Sequence, residues 1–220
     1  NPSSVVLDLG ASTANFSNKL NDLSGGYYHA IEALPENYSL IQETPFLTRH
    51  LHAIGEIDGP VSIHSVVGEF ASAAVHLMAD QRSRGIVWVE GLTLASLISR
   101  LGLDRVNLLK VDIEGAELSM FDAADDATLQ RIDQMTVEFH DFMDPNLTTS
   151  VERVIARLRS LGFWSIKFSH RFYSDVVFLN SERIRISQAE LYYAKHVIRP
   201  IRGVGRRVRR LLTNSLKFLD

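Results

Sequence analysis

Two short stretches gather the side chains best suited to chemistry. Leu108-Leu-Lys110-Val-Asp112-Ile-Glu114-Gly115-Ala-Glu117 sets a lysine and two carboxylates at alternate positions after an apolar run. Glu138-Phe-His140-Asp141 adds two more acids and an imidazole. Alternate residues of an extended chain share a side, so Lys110, Asp112 and Glu114 face one way. Charge beside a buried strand is costly unless paired. The cluster therefore reads as a reaction site, or as an ion pair of Lys110 with Asp112 or Glu114. His140 is the best general base by residue type; the competing reading is an imidazole buried against Glu138. Asp112, Glu114, Glu138 and His140 also offer donors that suit magnesium. Strand-end acids without fixed local spacing are a weak ligand pattern, however, and no resident metal is expected.

A second candidate site opens the chain. Val5-Val-Leu-Asp8-Leu9 is an apolar run that stops at Gly10, and the turn continues Ala11-Ser12-Thr-Ala14. Gly10 lets the backbone approach a ligand closely, and Ala14 permits tight helix contact. Glu32 follows the next apolar run, where an acid accepts hydrogen bonds from ribose hydroxyls. A nicotinamide-binding turn would read Gly-x-Gly-x-x-Gly. This turn lacks the second and third glycines, and Asp8 would repel a pyrophosphate while suiting the charged amino-acid end of S-adenosylmethionine.

The elements that must position these residues alternate. Strands are expected at 5–9, 27–31, 61–67, 106–113 and 135–139. Helices are expected over 13–24, from Pro35 to about His52, over 94–101 with Thr93 as cap, over about 116–130, and over 150–161. Residues 71–78 and 85–90 look like an inserted hairpin near 69–92. Phe163–Ser169 and Asp175–Leu179 close the pattern as an antiparallel pair. Such an alternation predicts a doubly wound α/β fold, with ligands at the carboxyl ends of the strands.

Val6-Leu-Asp-Leu-Gly-Ala-Ser, His29-Ala-Ile-Glu-Ala, Leu109-Lys-Val-Asp-Ile-Glu-Gly-Ala-Glu and Thr136-Val-Glu-Phe-His together resemble the FkbM family of S-adenosylmethionine-dependent methyltransferases. The likeness runs in order from residue 4 to about 180. It implies a Rossmann-like class I methyltransferase fold: a mostly parallel seven-stranded sheet with an antiparallel closing strand and helices on both faces. It also implies O-methylation of a hydroxyl on a sugar or secondary metabolite. On this resemblance Asp8, Gly10, Ala11 and Ser12 contact the methionine end of the cofactor and Glu32 the ribose diol. Ala33, Ser65 and Val66 border the adenine. Asp112 stands nearest the transferred methyl, with His140, Lys110 and Glu138 completing the catalytic set. The family's first turn is usually Gly-Ala-Asn-x-Gly; here Ser12 and Ala14 replace its third and fifth residues and are small enough to preserve it. The alternatives are a non-catalytic tethering module with a degenerate turn, and a nicotinamide-dependent oxidoreductase.

Composition sets the outer bounds. The 220 residues are 45% apolar and 22% charged, ordinary globular proportions, and contain no cysteine, which excludes disulfides and thiolate chemistry. No apolar run reaches the length of a membrane span, and a cytoplasmic location is expected. Residues 183–220 carry ten Lys and Arg against Glu190 and Asp220, whereas residues 1–182 carry 13 against 24 acids. This predicts a methyltransferase body over 1–182 and a basic, largely helical extension over 183–220. The apolar stripe within 199–219 suits an anionic membrane surface or an acidic partner, while the acidic body is no nucleic-acid binder.

Overall fold

The computed structural model describes residues 3–66, 72–74, 83–169, 171–185, 187, 189 and 190, with the backbone alone for 64–66, 72–74 and 83–85. The basic segment 199–219 and the greater part of the 183–220 extension lie outside the described residues.

A seven-stranded sheet forms the centre. Its strands are β1 (Val5–Leu9), β2 (Tyr27–Glu32), β3 (Leu47–Leu51), β8 (Leu108–Val111), β9 (Gln134–Val137), β10 (Phe163–Lys167) and β11 (Val176–Asn180). Their order is β10-β11-β9-β8-β1-β2-β3. All neighbours are parallel except β11, which runs antiparallel to both β9 and β10. The chain steps outward from β1 to β3 and then returns to β8 on the other side of β1. The strand order therefore reverses between β1 and β8, and ligands of open α/β sheets sit at that reversal. Val6, Leu7, Leu9, Leu109 and Val111 are buried because helices cover both faces of parallel strands. The helices are α1 (Asn15–Ser24), α2 (Pro35–Leu40), α3 (Leu94–Arg100), α4 (Glu117–Ala123), α5 (Asp126–Gln130) and α6 (Thr148–Ser160). Thr93 caps α3 by accepting from Ser96 N–H at 3.2 Å.

Four expectations meet a different structure. The helix expected from Pro35 to about His52 stops at Leu40, and Leu47–Leu51 pairs in parallel with β2. Pro45 cannot continue a helix, and the ladder offered by β2 outweighs local propensity. His29 Nδ1 and His50 Nε2, 3.0 Å apart, join the same two strands. The expected helix over 116–130 is two helices, because Asp125 caps a new start by accepting from Thr128 N–H at 2.7 Å. Residues 61–66 do not join the central sheet, and Val67 lies outside the described residues. Among the described residues β4 (Ala53–Ile54), β5 (Gly59–Val66), β6 (Ser72–Ala74) and β7 (Ser83–Leu92) make a separate sheet of order β4-β7-β5-β6. Of the hairpin expected from 71–78 with 85–90, residues 71 and 75–78 lie outside the described residues; Ser72–Ala74 (β6) pairs antiparallel with β5, which pairs on its other side with β7.

Candidate active site

The β1 turn and the β8 end are built against each other. Gly10 has φ +73°, and a Cβ placed there would stand 1.7 Å from the Asp112 carbonyl oxygen. The chain's own backbone already makes a close approach that needs glycine here. Gly10 and Ala11 N–H both donate to Ile31 C=O at 3.0 Å. Ser12 and Ala14 adopt φ of 51° and 57°. These are left-handed positions, where glycine and asparagine are the cheapest occupants. The turn keeps its shape with Ser and Ala at some strain.

Glu32 ties this turn to the second strand. Its Oε2 accepts from Ser12 N–H at 2.7 Å and its Oε1 from Leu34 N–H at 2.8 Å. Burial raises its pKa above the usual carboxylate range, against those two backbone donors and Asn37. With Asn37 counted beside Ser12 and Leu34, the carboxylate keeps about one acceptor position for another donor. Ala33 is the next residue along. Ser65 and Val66 stand on β5 of the second sheet, whose Val61 and Ile63 pack with Ala33 and Leu34.

Asp8 is fully buried beneath the turn. Ser17 Oγ donates to its Oδ2 at 2.7 Å, and Lys110 Nζ stands 3.3 Å from its Oδ1. Lys110 also donates to Gly10 C=O at 2.7 Å and lies 3.4 Å from Asp112 Oδ2. The pairing expected with Asp112 is present, and Asp8 takes the place of Glu114 as the further partner. Held this way, Lys110 positions the turn.

Asp112, Glu138 and Lys110 line a polar cavity of about 340 Å³ together with Phe16, Thr136 and Asp175. Burial raises the pKa of Asp112, with Lys110 opposing and Glu114 reinforcing. Partial burial also raises Glu138, and repulsion from Asp112 adds to it. The Glu138 side chain makes no hydrogen bond among the described residues and opens on the cavity.

His140 is buried among acids, and Glu138 is not its hydrogen-bond partner. Its Nδ1 meets Glu117 Oε1 at 2.9 Å; its Nε2 lies 3.3 Å from Glu114 Oε2 and 3.9 Å from Asp112 Oδ1. Burial by itself would lower the imidazole's pKa, but the hydrogen bonds and charges of Glu114 and Glu117 outweigh it and push it up to about 10. An imidazolium has no lone pair to accept a proton. The neutral-base reading of His140 does not fit this geometry, and Glu138 is the better placed acceptor. Glu117 is the residue whose task the sequence did not disclose. It accepts from Ile113 and Gly115 N–H as well, at 3.1 and 3.2 Å.

A second cleft, of about 550 Å³, lies between the small sheet and the start of α4. Ile54, Ile57, Val61, Trp88, Leu118 and Leu147 make it chiefly apolar. Gly115 and Ala116, which follow the acidic cluster, form part of its wall.

Residues 6–164 match the model of the methyltransferase FkbM domain. The chain belongs to the FkbM methyltransferase family. A 70-residue stretch is 36% identical to the AMB antimetabolite synthetase AmbE of Pseudomonas aeruginosa, covering 32% of this chain and only 3% of that protein. Among solved structures, the precorrin-6y C5,15-methyltransferase of Geobacter metallireducens aligns with TM-score 0.42 and 12% identity over 81% of this chain and 79% of its own. A Haloferax volcanii complex of the Trm112 methyltransferase activator and a methyltransferase gives 0.40 and 10%, over 82% and 84%. The usual cofactor of the FkbM family is S-adenosylmethionine, and the donor set here fits it. Asp112 and Glu138 at the cavity wall suit a ligand with cationic ammonium and sulfonium groups, and Glu32 keeps acceptor capacity beyond Ser12, Leu34 and Asn37 for a hydroxyl. No described helix is long and apolar enough to cross a membrane.

Proposed function

We propose that this domain transfers a methyl group from S-adenosylmethionine to a hydroxyl of a small acceptor, a sugar or a secondary metabolite. The observation that carries this is the polar cavity at the carboxyl ends of β8 and β9, walled by two carboxyls whose pKa values are both raised. When bound, the cofactor supplies an electrophilic methyl on a sulfonium. The chain's residues orient and manage the proton. Glu32 accepts from a ribose hydroxyl, and Ala33 follows it toward the adenine. Asp112 draws the positive end of the cofactor to the β8 tip, with Lys110 fixing both β1 and β8 turns beneath it. Glu138 would take the acceptor's hydroxyl proton as its oxygen bonds the methyl carbon and the carbon–sulfur bond breaks, the sulfonium leaving as a neutral thioether. A carboxyl pKa shifted upward brings a base nearer to the operating pH. The proton leaves through the open side of the cavity.

The apolar cleft beside the cluster favours an acceptor whose body is apolar, with one hydroxyl reaching Glu138, over a free sugar. Calorimetric titration tests the reading: one S-adenosylmethionine per chain is expected, and no heat with a nicotinamide dinucleotide. Absence of S-adenosylmethionine binding removes the proposal and leaves the tethering reading.

A further inference from the structure

The cleft beside the acidic turn has a lining that selects its occupant. Along β7, Val87 and Val89 pack into the core of the small sheet with Leu34, Ala53 and Ile63. Successive strand residues face opposite ways, so Trp88 between them is turned from that core. Its partner across the ladder is Ser62, too small to cover an indole. Trp88 is consequently 68% exposed, and Ile57, in the loop before β5, is 55% exposed. Both line the cleft, as do Leu118 of α4 and Leu147. Large apolar side chains left to water around a concavity mark a binding surface, and an indole is the strongest stacking platform among side chains.

Charge narrows the choice. Among the described residues that line the cleft, Glu56 is the one ionisable group, and there is no lysine or arginine. An anionic ligand would meet a carboxylate and no counter-charge, so phosphates, sulfates and carboxylates are disfavoured. Ser62 and Ser119 supply hydroxyls; Ser119 Oγ donates to Ala116 C=O at 3.1 Å and keeps acceptor lone pairs. About 550 Å³ of apolar lining with a few polar groups is the build of a small-molecule site. The wall at Gly115 and Ala116 directly follows Glu114, whose carboxylate stands 3.3 Å from His140. An occupant of the cleft therefore lies against the turn that carries the acidic cluster.

We propose that this cleft holds the body of the methyl acceptor, a flat, uncharged ring system bearing a hydroxyl, and that Trp88 is the specificity-determining residue that stacks on it. The inference rests on the methyl-transfer reading and narrows its acceptor from apolar to planar and neutral. The hydroxyl oxygen bonds the methyl carbon, the carbon–sulfur bond breaks to leave a neutral thioether, and the proton goes to Glu138.

The test uses 2-naphthol, naphthalene-2-sulfonate and methyl glucoside with the 220-residue chain, read by naphthyl fluorescence and calorimetry. One 2-naphthol per chain is expected, bound about tenfold or more tighter than the sulfonate, which has the same rings and a negative charge, and tighter than the glucoside. Trp88→Ala should weaken 2-naphthol about tenfold or more, Trp88→Phe less than about threefold, and Leu23→Ala, a surface control on α1, less than about twofold. In the unsubstituted chain 2-naphthol should shift amide signals of residues 54–57, 87–91 and 115–119 selectively, a readout that needs no variant to fold. With S-adenosylmethionine added, 2-methoxynaphthalene should form. No saturable binding at about millimolar 2-naphthol, shifts confined to other residues, equal affinity for the sulfonate, or binding that survives Trp88→Ala overturns the proposal. So does 2-naphthol that binds and is never methylated. S-adenosylmethionine titrated alone separates the failures. Its binding without that of 2-naphthol removes the ring and leaves methyl transfer standing; its absence beside bound 2-naphthol removes methyl transfer and the acceptor role with it.

Discussion

Lys110 donates a 2.7 Å hydrogen bond to the carbonyl of Gly10, a residue one hundred positions earlier in the chain. The same ammonium neutralises Asp8, which has no exposure to water. One side chain thus locks the two strand ends between which the sheet reverses, and its removal leaves a buried carboxylate without its counter-ion.

Lys110→Met should therefore cost about 3–5 kcal/mol in urea unfolding, the range for breaking one partner of a buried pair. Asp8→Asn combined with Lys110→Met should recover part of that loss. Equal and additive losses in the double-mutant cycle would mean that the two groups do not interact.

Gly10→Ala tests the contact between turns. A methyl 1.7 Å from the Asp112 carbonyl oxygen must push β8 away, and it also places an L side chain at φ +73°. Left-handed strain of about 1–2 kcal/mol and overpacking of about 1–3 kcal/mol add to a loss of roughly 2–5 kcal/mol. A variant as stable as the parent in denaturant titration would show that the two turns separate freely.

Glu32→Gln keeps the shape but turns an amide NH₂ toward Ser12 or Leu34 N–H, where a carboxylate oxygen now accepts. S-adenosylmethionine affinity should fall by about tenfold, with about 1–3 kcal/mol of stability lost to the unsatisfied donor. Calorimetry and urea titration read the two effects separately. Unchanged affinity would move the ribose away from Glu32.

The His29–His50 pair gives a pH dependence with a definite sign. Burial first, and His50 second, lower the His29 pKa from 6.5 to about 4. The unfolded chain therefore binds a proton on falling through pH 6.5 that the folded chain refuses until about pH 4. The contribution is complete above pH 6.5 and is lost as pH falls toward 4. Urea midpoints at pH 7, 5.5 and 4.5 should converge between the parent and His29→Gln as acid is added. Parallel curves would remove His29 as the source.

Much of the central sheet was legible because β1, β8 and β9 are short apolar runs, each ending in glycine or acid. Strand β3 was not. Thr48-Arg49-His50 has no apolar run, and it becomes a strand only through its ladder with β2. In the site, Asp112, Glu138 and Lys110 were visible as charges where a buried strand ends. The partner of His140 was hidden because Glu117 lies 23 residues away and reaches it only once α4 is packed across the end of β9. The motif Glu114-Gly-x-Glu117 contained that acid but not its direction. The apolar cleft was equally invisible, since its wall comes from a second sheet that the sequence suggested only as a hairpin.

The missing Cβ at Gly10 also bears on redesign. Because the β1 turn rests on the Asp112 carbonyl and is held by Lys110, residues 8–14 and 110–115 behave as one cassette though they are far apart in sequence. A cofactor loop transplanted from another methyltransferase into positions 10–14 alone would arrive without the strand tip that shapes it. Swaps that carry both segments together should fold where single swaps fail.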